Sequence, residues 1–265
     1  MFETGEKMKR ERELINERRR QILVRAKCQG KVFVDLLSEE LQVSPVTIRR
    51  DLAYLEKKQK VARFYGGAAY YNEEDKKESE LDISRKRIAE YAAELVNDGD
   101  SIFINTSNTA LKMLNYVTKS HVTVITNNGK AIQTRHGDGV SIILTGGELR
   151  HPKEAMVGDF ALQNIQNVFP NKAFIGCNGI SAHSGMTTQN ASEVKVNQMM
   201  IQNAREGVYV LADHTKVGVD GSFTSAPITS IDVLITDEFA SEEALKQIRA
   251  AGVKVHIVRQ EDFEY

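Results

Sequence analysis

The chain has no tryptophan, four prolines and two cysteines, and aromatic residues fill 7% of its 265 positions. Cys28 and Cys177 lie far apart and form no Cys-x-x-Cys pair. That excludes a disulfide framework and predicts a reducing, cytoplasmic setting. The six histidines are scattered without an i,i+4 pair, so neither a metal site nor a cofactor is expected. No apolar run approaches the ~20 residues needed to cross a bilayer. The opening MFETGEKMKRERELINERRR is too charged for a secretory signal. Membrane and secreted classes are therefore not expected, and the length is comfortable for two domains.

Net charge is nearly absent too, at −1, but the total conceals a split. Residues 1–65 carry 16 Lys+Arg against 10 Asp+Glu, while the remaining 200 carry 19 against 26. A basic end beside an acidic remainder suggests that only the first part meets a polyanion.

Within that basic part, ERELINERRRQILVRAK (11–27) predicts an amphipathic helix ending near Gly30. VDLLSEEL (34–41) predicts a second, short helix with Leu36, Leu37 and Leu41 turned inward, followed by a tight connection. Ser44 then offers an N-cap hydroxyl, and Pro45 suits the first helical position, where no N–H is needed. Ile48, Leu52 and Leu55 recur at i, i+4, i+7 as one buried stripe. At 100° per residue Arg50 and Lys57 point away from it, while Thr47 and Arg49 flank it. KVARFYGGAAYY (60–71) alternates around a Gly-Gly turn and predicts a two-stranded wing. Residues 11–71 thus form a winged helix-turn-helix, with the motif itself at 34–53. The first turns of its second helix are the part that enters a DNA major groove. Ser44, Pro45, Thr47, Arg49, Arg50, Lys57 and Arg63 are the candidate DNA contacts, with Arg50 at a base edge and Lys57 and Arg63 at phosphates.

The stretch LLSEELQVSPVTIRRDLAYLEKKQKVARFYGGA closely resembles the DNA-binding domain of the DeoR family of bacterial transcriptional regulators. Its Ser-Pro-x-Thr-Ile-Arg-Arg-Asp-Leu core and closing Gly-Gly-Ala carry the resemblance, which extends over residues 14 to 260.

Polar residues 72–87 are expected to be a linker or an exposed helix start. Beyond them, residues 88–260 alternate apolar runs with helical stretches: SIFIN (101–105), VTVIT (122–126), VSIILT (140–145), KAFIGC (172–177), VYVLAD (208–213), VLITD (233–237) and VKVHIV (253–258). Continuous apolar strands predict a parallel sheet covered on both faces, an α/β domain. Ligands of such sheets bind beyond the carboxyl ends of the strands. Those ends hold Asn105 to Thr109, Thr126 to Asn128, Gly146 to Glu148 with Arg150, Cys177 to Gly179, and Asp213 with Lys216. Hydroxyls and helix-start N–H groups near a lysine and an arginine suit a phosphate.

The DeoR resemblance implies a sensor domain with a fold like that of ribose-5-phosphate isomerase. It also implies a phosphate loop at Thr106, Ser107, Asn108 and Thr109, with Lys216 helping to hold the phosphate. Asn127, Gly147, Arg150, Asn178 and Asn190 would line the sugar part, beside Gly179. Two departures stand out: Asn-Thr-Ser-Asn-Thr replaces the family's Asp-Ser-Gly-Thr-Thr, and Gly-Cys-Asn-Gly replaces its Gly-Ala-Asp-Gly. Loss of the loop glycine restricts backbone approach to a phosphate.

The rival reading is a sugar-phosphate isomerase-like enzyme with a DNA-binding module. That chemistry needs a positioned base, yet CNGISAHSGM (177–186) contains no carboxylate. Glu193, the nearest acid, reads as a favourable charge in a first helical turn. The expectation is therefore a repressor and not an enzyme: a homo-oligomer on double-stranded operator DNA, controlled by a phosphorylated sugar effector.

Overall fold

The computed structural model describes residues 3–58, 60–71 and 79–263, which divide into a first unit up to Glu78 and a second from Ser79. In the first unit α1 (Glu3–Gln29) starts earlier than periodicity predicts and ends before Gly30, whose φ is 74°. Then follow β1 (Lys31–Phe33), α2 (Val34–Glu40), α3 (Pro45–Lys57), β2 (Val61–Phe64) and β3 (Gly67–Tyr70). The wing has three antiparallel strands in the order β1-β3-β2 rather than two. A side chain at Gly67 would overlap the Val32 carbonyl on β1, so the second glycine of the wing turn lets that extra strand approach.

Helix α3 begins as its sequence dictates. Ser44 Oγ accepts from Thr47 N at 3.3 Å, Pro45 occupies the first turn, and Ile48, Leu52 and Leu55 are buried. They pack with Ile22 and Ala26 of α1, Val34 and Leu37 of α2, and Val32, Val61 and Ala68 of the wing. Leu36, expected inside, is 56% exposed, because α2 turns Val34 and Leu37 inward instead.

Asp51 of α3 is only 2% exposed. Arg18 Nε donates to its Oδ2 at 2.6 Å and Arg19 Nε to its Oδ1 at 2.7 Å. The Arg19 guanidinium also lies 3.7 Å from the Tyr54 ring centroid. Two arginines of α1 thus grip α3 on both carboxylate oxygens.

The second unit opens with α4 (Glu80–Glu94), capped by Ser79 Oγ, which accepts from Asp82 N at 3.1 Å. Of the expected linker, residues 72–78 lie outside the described residues, and 80–87 are helix. Ser84 is buried there, so the polar composition marks a helix start and not a free connection. Next come β4 (Ser101–Ile104), α5 (Asn108–Lys112), β5 (Val122–Thr126), β6 (Val140–Leu144), β7 (Glu148–Arg150), β8 (Ala155–Val157) and α6 (Asp159–Ile165). They are followed by β9 (Lys172–Gly176), β10 (Gly179–Ser181), β11 (Gly185–Thr188), α7 (Ala191–Asn203) and β12 (Gly207–Leu211). β13 (Phe223–Ala226), β14 (Val233–Asp237), α8 (Glu242–Ala250) and β15 (Lys254–Val258) complete the unit.

The seven apolar runs form one parallel sheet in the order β15-β14-β12-β9-β4-β5-β6. Alternate side chains separate its two faces. Phe103, Ile175, Val210 and Leu234 pack under α6, α7 and α8. Ile102, Ile104, Phe174, Leu211 and Ile235 pack under α4 and α5. Burial of each such side chain is worth about 1.5–3 kcal/mol. The chain runs outward from β4 through β5 to β6, then returns to β4's other side at β9. Strand order therefore reverses between β4 and β9, where an open α/β sheet leaves a crevice. Two small additions border that end: the β7–β8 hairpin and a sheet ordered β10-β11-β13.

Replacing Asp51 by Ala should lower the stability of the first unit by about 2 kcal/mol. The loss leaves two half-shielded arginines without their buried acceptor, discounted for their residual solvent access. Thermal unfolding of wild type and variant measures the difference, and an unchanged midpoint would remove the grip from the account.

Candidate functional site

On the first unit, Arg49, Arg50 and Lys57 are exposed, and none has an ion-pair partner among the described residues. Ser44 and Pro45 are exposed at the start of α3, and Thr47 is half-buried with its Oγ1 2.9 Å from Ser44 Oγ. Arg63 differs: its backbone N–H donates to Glu56 at 3.1 Å and its guanidinium lies 3.6 Å from the same carboxylate. Its charge is thereby partly offset by the helix it faces. Tyr65, absent from the sequence reading, stands fully exposed on the wing turn next to Gly66, which holds φ at 85°.

On the second unit, a cavity of about 430 Å³ opens where strand order reverses. The loop after β4 supplies Asn105 to Thr109, and the end of β9 supplies Gly176 to Asn178. Asn105 is a tie rather than a ligand group: its amide donates to Gly176 O and Asn197 Oδ1, and its Oδ1 accepts from Gly176 N and Ser107 N. An aspartate there would face two acceptors with no donor, so the amide that departs from the family pattern is what this arrangement requires. Ser107 Oγ caps α5 by accepting from Ala110 N at 3.3 Å. A side chain at Gly176 would overlap the Ser107 side chain, so the extra bulk in the loop is admitted by this glycine.

Four cations line the cavity: Arg85 from α4, Lys130 beyond β5, Lys153 from the β7–β8 turn and Lys216 beyond β12. Glu193, in the first turn of α7 and 4% exposed, is the one acid among the lining residues. Its carboxylate accepts from Thr106 Oγ1 at 3.1 Å, Asn190 Nδ2 at 2.8 Å and Lys153 Nζ at 3.2 Å. Just behind the wall, fully buried Asp213 accepts from Arg85 Nε at 2.8 Å, lies 3.3 Å from Lys216 Nζ, and also accepts from the Thr215 hydroxyl. Burial alone would push the Asp213 carboxyl up. The Thr215 hydroxyl, Arg85 and Lys216 outweigh it and bring the pKa down to about 2. Burial pushes the Cys177 thiol up to about 12 against the pull of Lys216, so it stays protonated and is no nucleophile at neutral pH.

Of the expected effector residues, the structure brings together Thr106, Ser107, Asn108, Thr109, Asn178 and Lys216 at this cavity. The other five do not line it. Asn127 is fully buried and donates to Met156 O, anchoring the β7–β8 hairpin. Gly147 sits at the start of that hairpin at φ 108°, against the Val157 carbonyl. Arg150 is exposed and pairs with Glu148 at 3.0 Å. Gly179 lies within β10, packed on the Val219 carbonyl. Asn190 stands behind Glu193 at the start of α7.

The sequence reading missed Arg85, Lys130 and Lys153. Lys130 lies two residues beyond the strand end at Thr126 to Asn128. Arg85 and Lys153 come from a covering helix and a hairpin, which a rule confined to strand ends cannot reach.

Two family models match the chain. The DeoR-like helix-turn-helix domain matches residues 18–74 and the DeoR C terminal sensor domain matches residues 82–238. A protein of Escherichia coli O157:H7 bearing the name of an aga operon transcriptional repressor is 33% identical over 255 residues, covering 92% of this chain and 94% of its own. The HTH-type transcriptional repressor GlcR of Bacillus subtilis (strain 168) is 30% identical over 243 residues, 89% of this chain and 93% of its own. Among solved structures, ribose 5-phosphate isomerase A of Methanocaldococcus jannaschii aligns with 50% of this chain and 52% of its own, at 16% identity and a TM-score of 0.37.

The Asp213 cluster has a pH signature. Its carboxyl is depressed from 3.8 to about 2, so its contribution is complete above the unfolded value and is lost as pH falls through the folded one. Wild type should therefore lose about 2 kcal/mol from this group between those pH values. Asp213→Asn, lacking the titrating group, should show no such component when denaturant unfolding is followed across the same window.

Proposed function

The chain belongs to the DeoR family of DNA-binding repressors of sugar metabolism, and on that premise we propose that it represses a carbohydrate-utilisation operon. A phosphorylated sugar or sugar-derived metabolite, bound in the cavity of the second unit, releases it from operator DNA.

The charge around the cavity carries this reading. Arg85, Lys130, Lys153 and Lys216 face Glu193 and the buried Asp213, which leaves a balance of +2 for a phosphate dianion to neutralise. Both carboxylates are fully engaged by donors, so neither is free to act as the base an isomerase needs. The relatives named above carry regulator names, which points the same way.

On α3, Arg49, Arg50 and Lys57 are exposed and uncommitted, the condition for contacts in a groove. Single winged helices read few base pairs, so a homo-oligomer on paired half-sites fits the family. An effector releases DNA only if it binds the two states unequally.

With an operator duplex selected from random sequence by the purified protein, Arg50→Ala should weaken binding by about 1–3 kcal/mol and relax specificity at one position. Arg63→Ala should weaken all sequences alike and flatten the salt dependence, by less than Lys57→Ala because Glu56 already offsets its charge. Wild-type operator affinity in Arg50→Ala would refute the base contact.

For the effector site, operator binding is titrated with a panel of phosphorylated sugars and their unphosphorylated counterparts. Lys216→Ala should raise the concentration needed for release at least about tenfold, the loss expected of a contact to a charged group. Equal potency of the unphosphorylated sugars, or release of the variant at wild-type concentrations, would sink the phosphate site.

A further inference from the structure

Arg85 is the only side chain of α4 among the described residues that line the cavity. Its helix is the first element of the second unit, joined through residues 72–78 to the unit that carries α3. Its guanidinium is 28% exposed and only partly committed. Nε is held by Asp213 Oδ2 at 2.8 Å, whereas Nη1 stands 3.9 Å from Asp82, beyond hydrogen-bond range. Asp213 cannot swing away, because it is fully buried and also holds Thr215 and Lys216. The fork is thus fixed at one edge, beside a cavity that Arg85 lines, and Nη1 is not hydrogen-bonded to Asp82. A planar guanidinium suits this double duty, since it binds two oxyanions through different edges.

The two halves of α4 are held differently. Ile88, Ala89, Ala92 and Ala93 seat its later turns in the core, while the first turns bury only Ser84. Among the polar contacts that reach from those first turns to other elements, the Arg85 bond to Asp213 is the short one: Asp82 stands 3.8 Å from Lys112, and Arg87 reaches Glu238 only at 3.8 Å.

We propose that Arg85 is the residue through which the cavity's occupant acts on α4: a phosphate group takes the uncommitted guanidinium N–H groups while Nε stays on Asp213, fastening the first turns of the helix to the cavity wall. This rests on the cavity accepting a phosphorylated ligand, and it assigns to Arg85 both a ligand contact and the coupling to the helix that follows the junction.

The test is amide hydrogen exchange of the full chain with and without inorganic phosphate, read at two places. In wild type, phosphate should slow exchange both in the loop 106–110 and in residues 83–89 of α4. In Arg85→Gln the loop should still be protected, at about tenfold higher phosphate as expected for one lost charged contact, while 83–89 no longer respond. Should Arg85→Gln not fold, Arg85→Lys keeps the charge opposite Asp213 but lacks the second edge, and the same split is expected. Loop protection in wild type without any response at 83–89 overturns the coupling and leaves the phosphate site standing. A response at 83–89 that persists in either variant overturns Arg85's part in it. No protection of the loop in wild type overturns both the site and the coupling.

Discussion

A buried carboxylate at the end of a central strand sets the terms for the second unit. Asp213 is sealed from water, and an ionised group in that position must be met by donors and counter-charges. It recruits one from a covering helix and one from its own following turn, Arg85 and Lys216. Neither cation could be held so near the other without the shared acid between them. The cavity's positive character is therefore a consequence of how the strand end is satisfied, and the cations stand in place before any ligand arrives. Glu193 does the same for Lys153 on the opposite wall, where it also ties Thr106 and Asn190.

The first unit uses the same device to the opposite effect. Asp51 draws Arg18 and Arg19 inward onto α3 and removes them from the basic surface. Arg18, Arg19 and Arg20 all count toward the basic balance of the first 65 residues, yet two of the three are structural. What α3 offers outward is a smaller set, Arg49, Arg50 and Lys57, on a helix whose roll about its axis is fixed by the two arginine hydrogen bonds to Asp51 and by the Ile48, Leu52 and Leu55 stripe.

The elements legible in the sequence share a physical property: each announces itself over five or more consecutive residues. All seven sheet strands are continuous apolar runs, and they appear within a residue or two of their expected bounds. α3 is marked by a cap, a proline and a three-residue stripe. What escaped is short and mixed. β1, β7, β8 and β10 span three residues each, and their pairing is decided by partners distant in sequence. The start of α4 reads equally as linker or helix because its polar turns have linker-like composition. Asn127 and Arg150 follow strands, and the DeoR resemblance implies them at the ligand. The hairpin that intervenes redirects both, one to hold its base and the other to solvent.

The contact between Gly176 and Ser107 constrains the order in which this cavity could have changed. A side chain at 176 meets the β-carbon of residue 107 itself, which no rotamer change can withdraw. With serine at 107, position 176 is closed to every residue but glycine, whereas glycine at 107, as in the family's usual loop, opens it. Substitutions at the two positions are thus conditional on one another: a lineage can gain bulk on the strand only after losing it on the loop, and the reverse order passes through a protein that does not fit together.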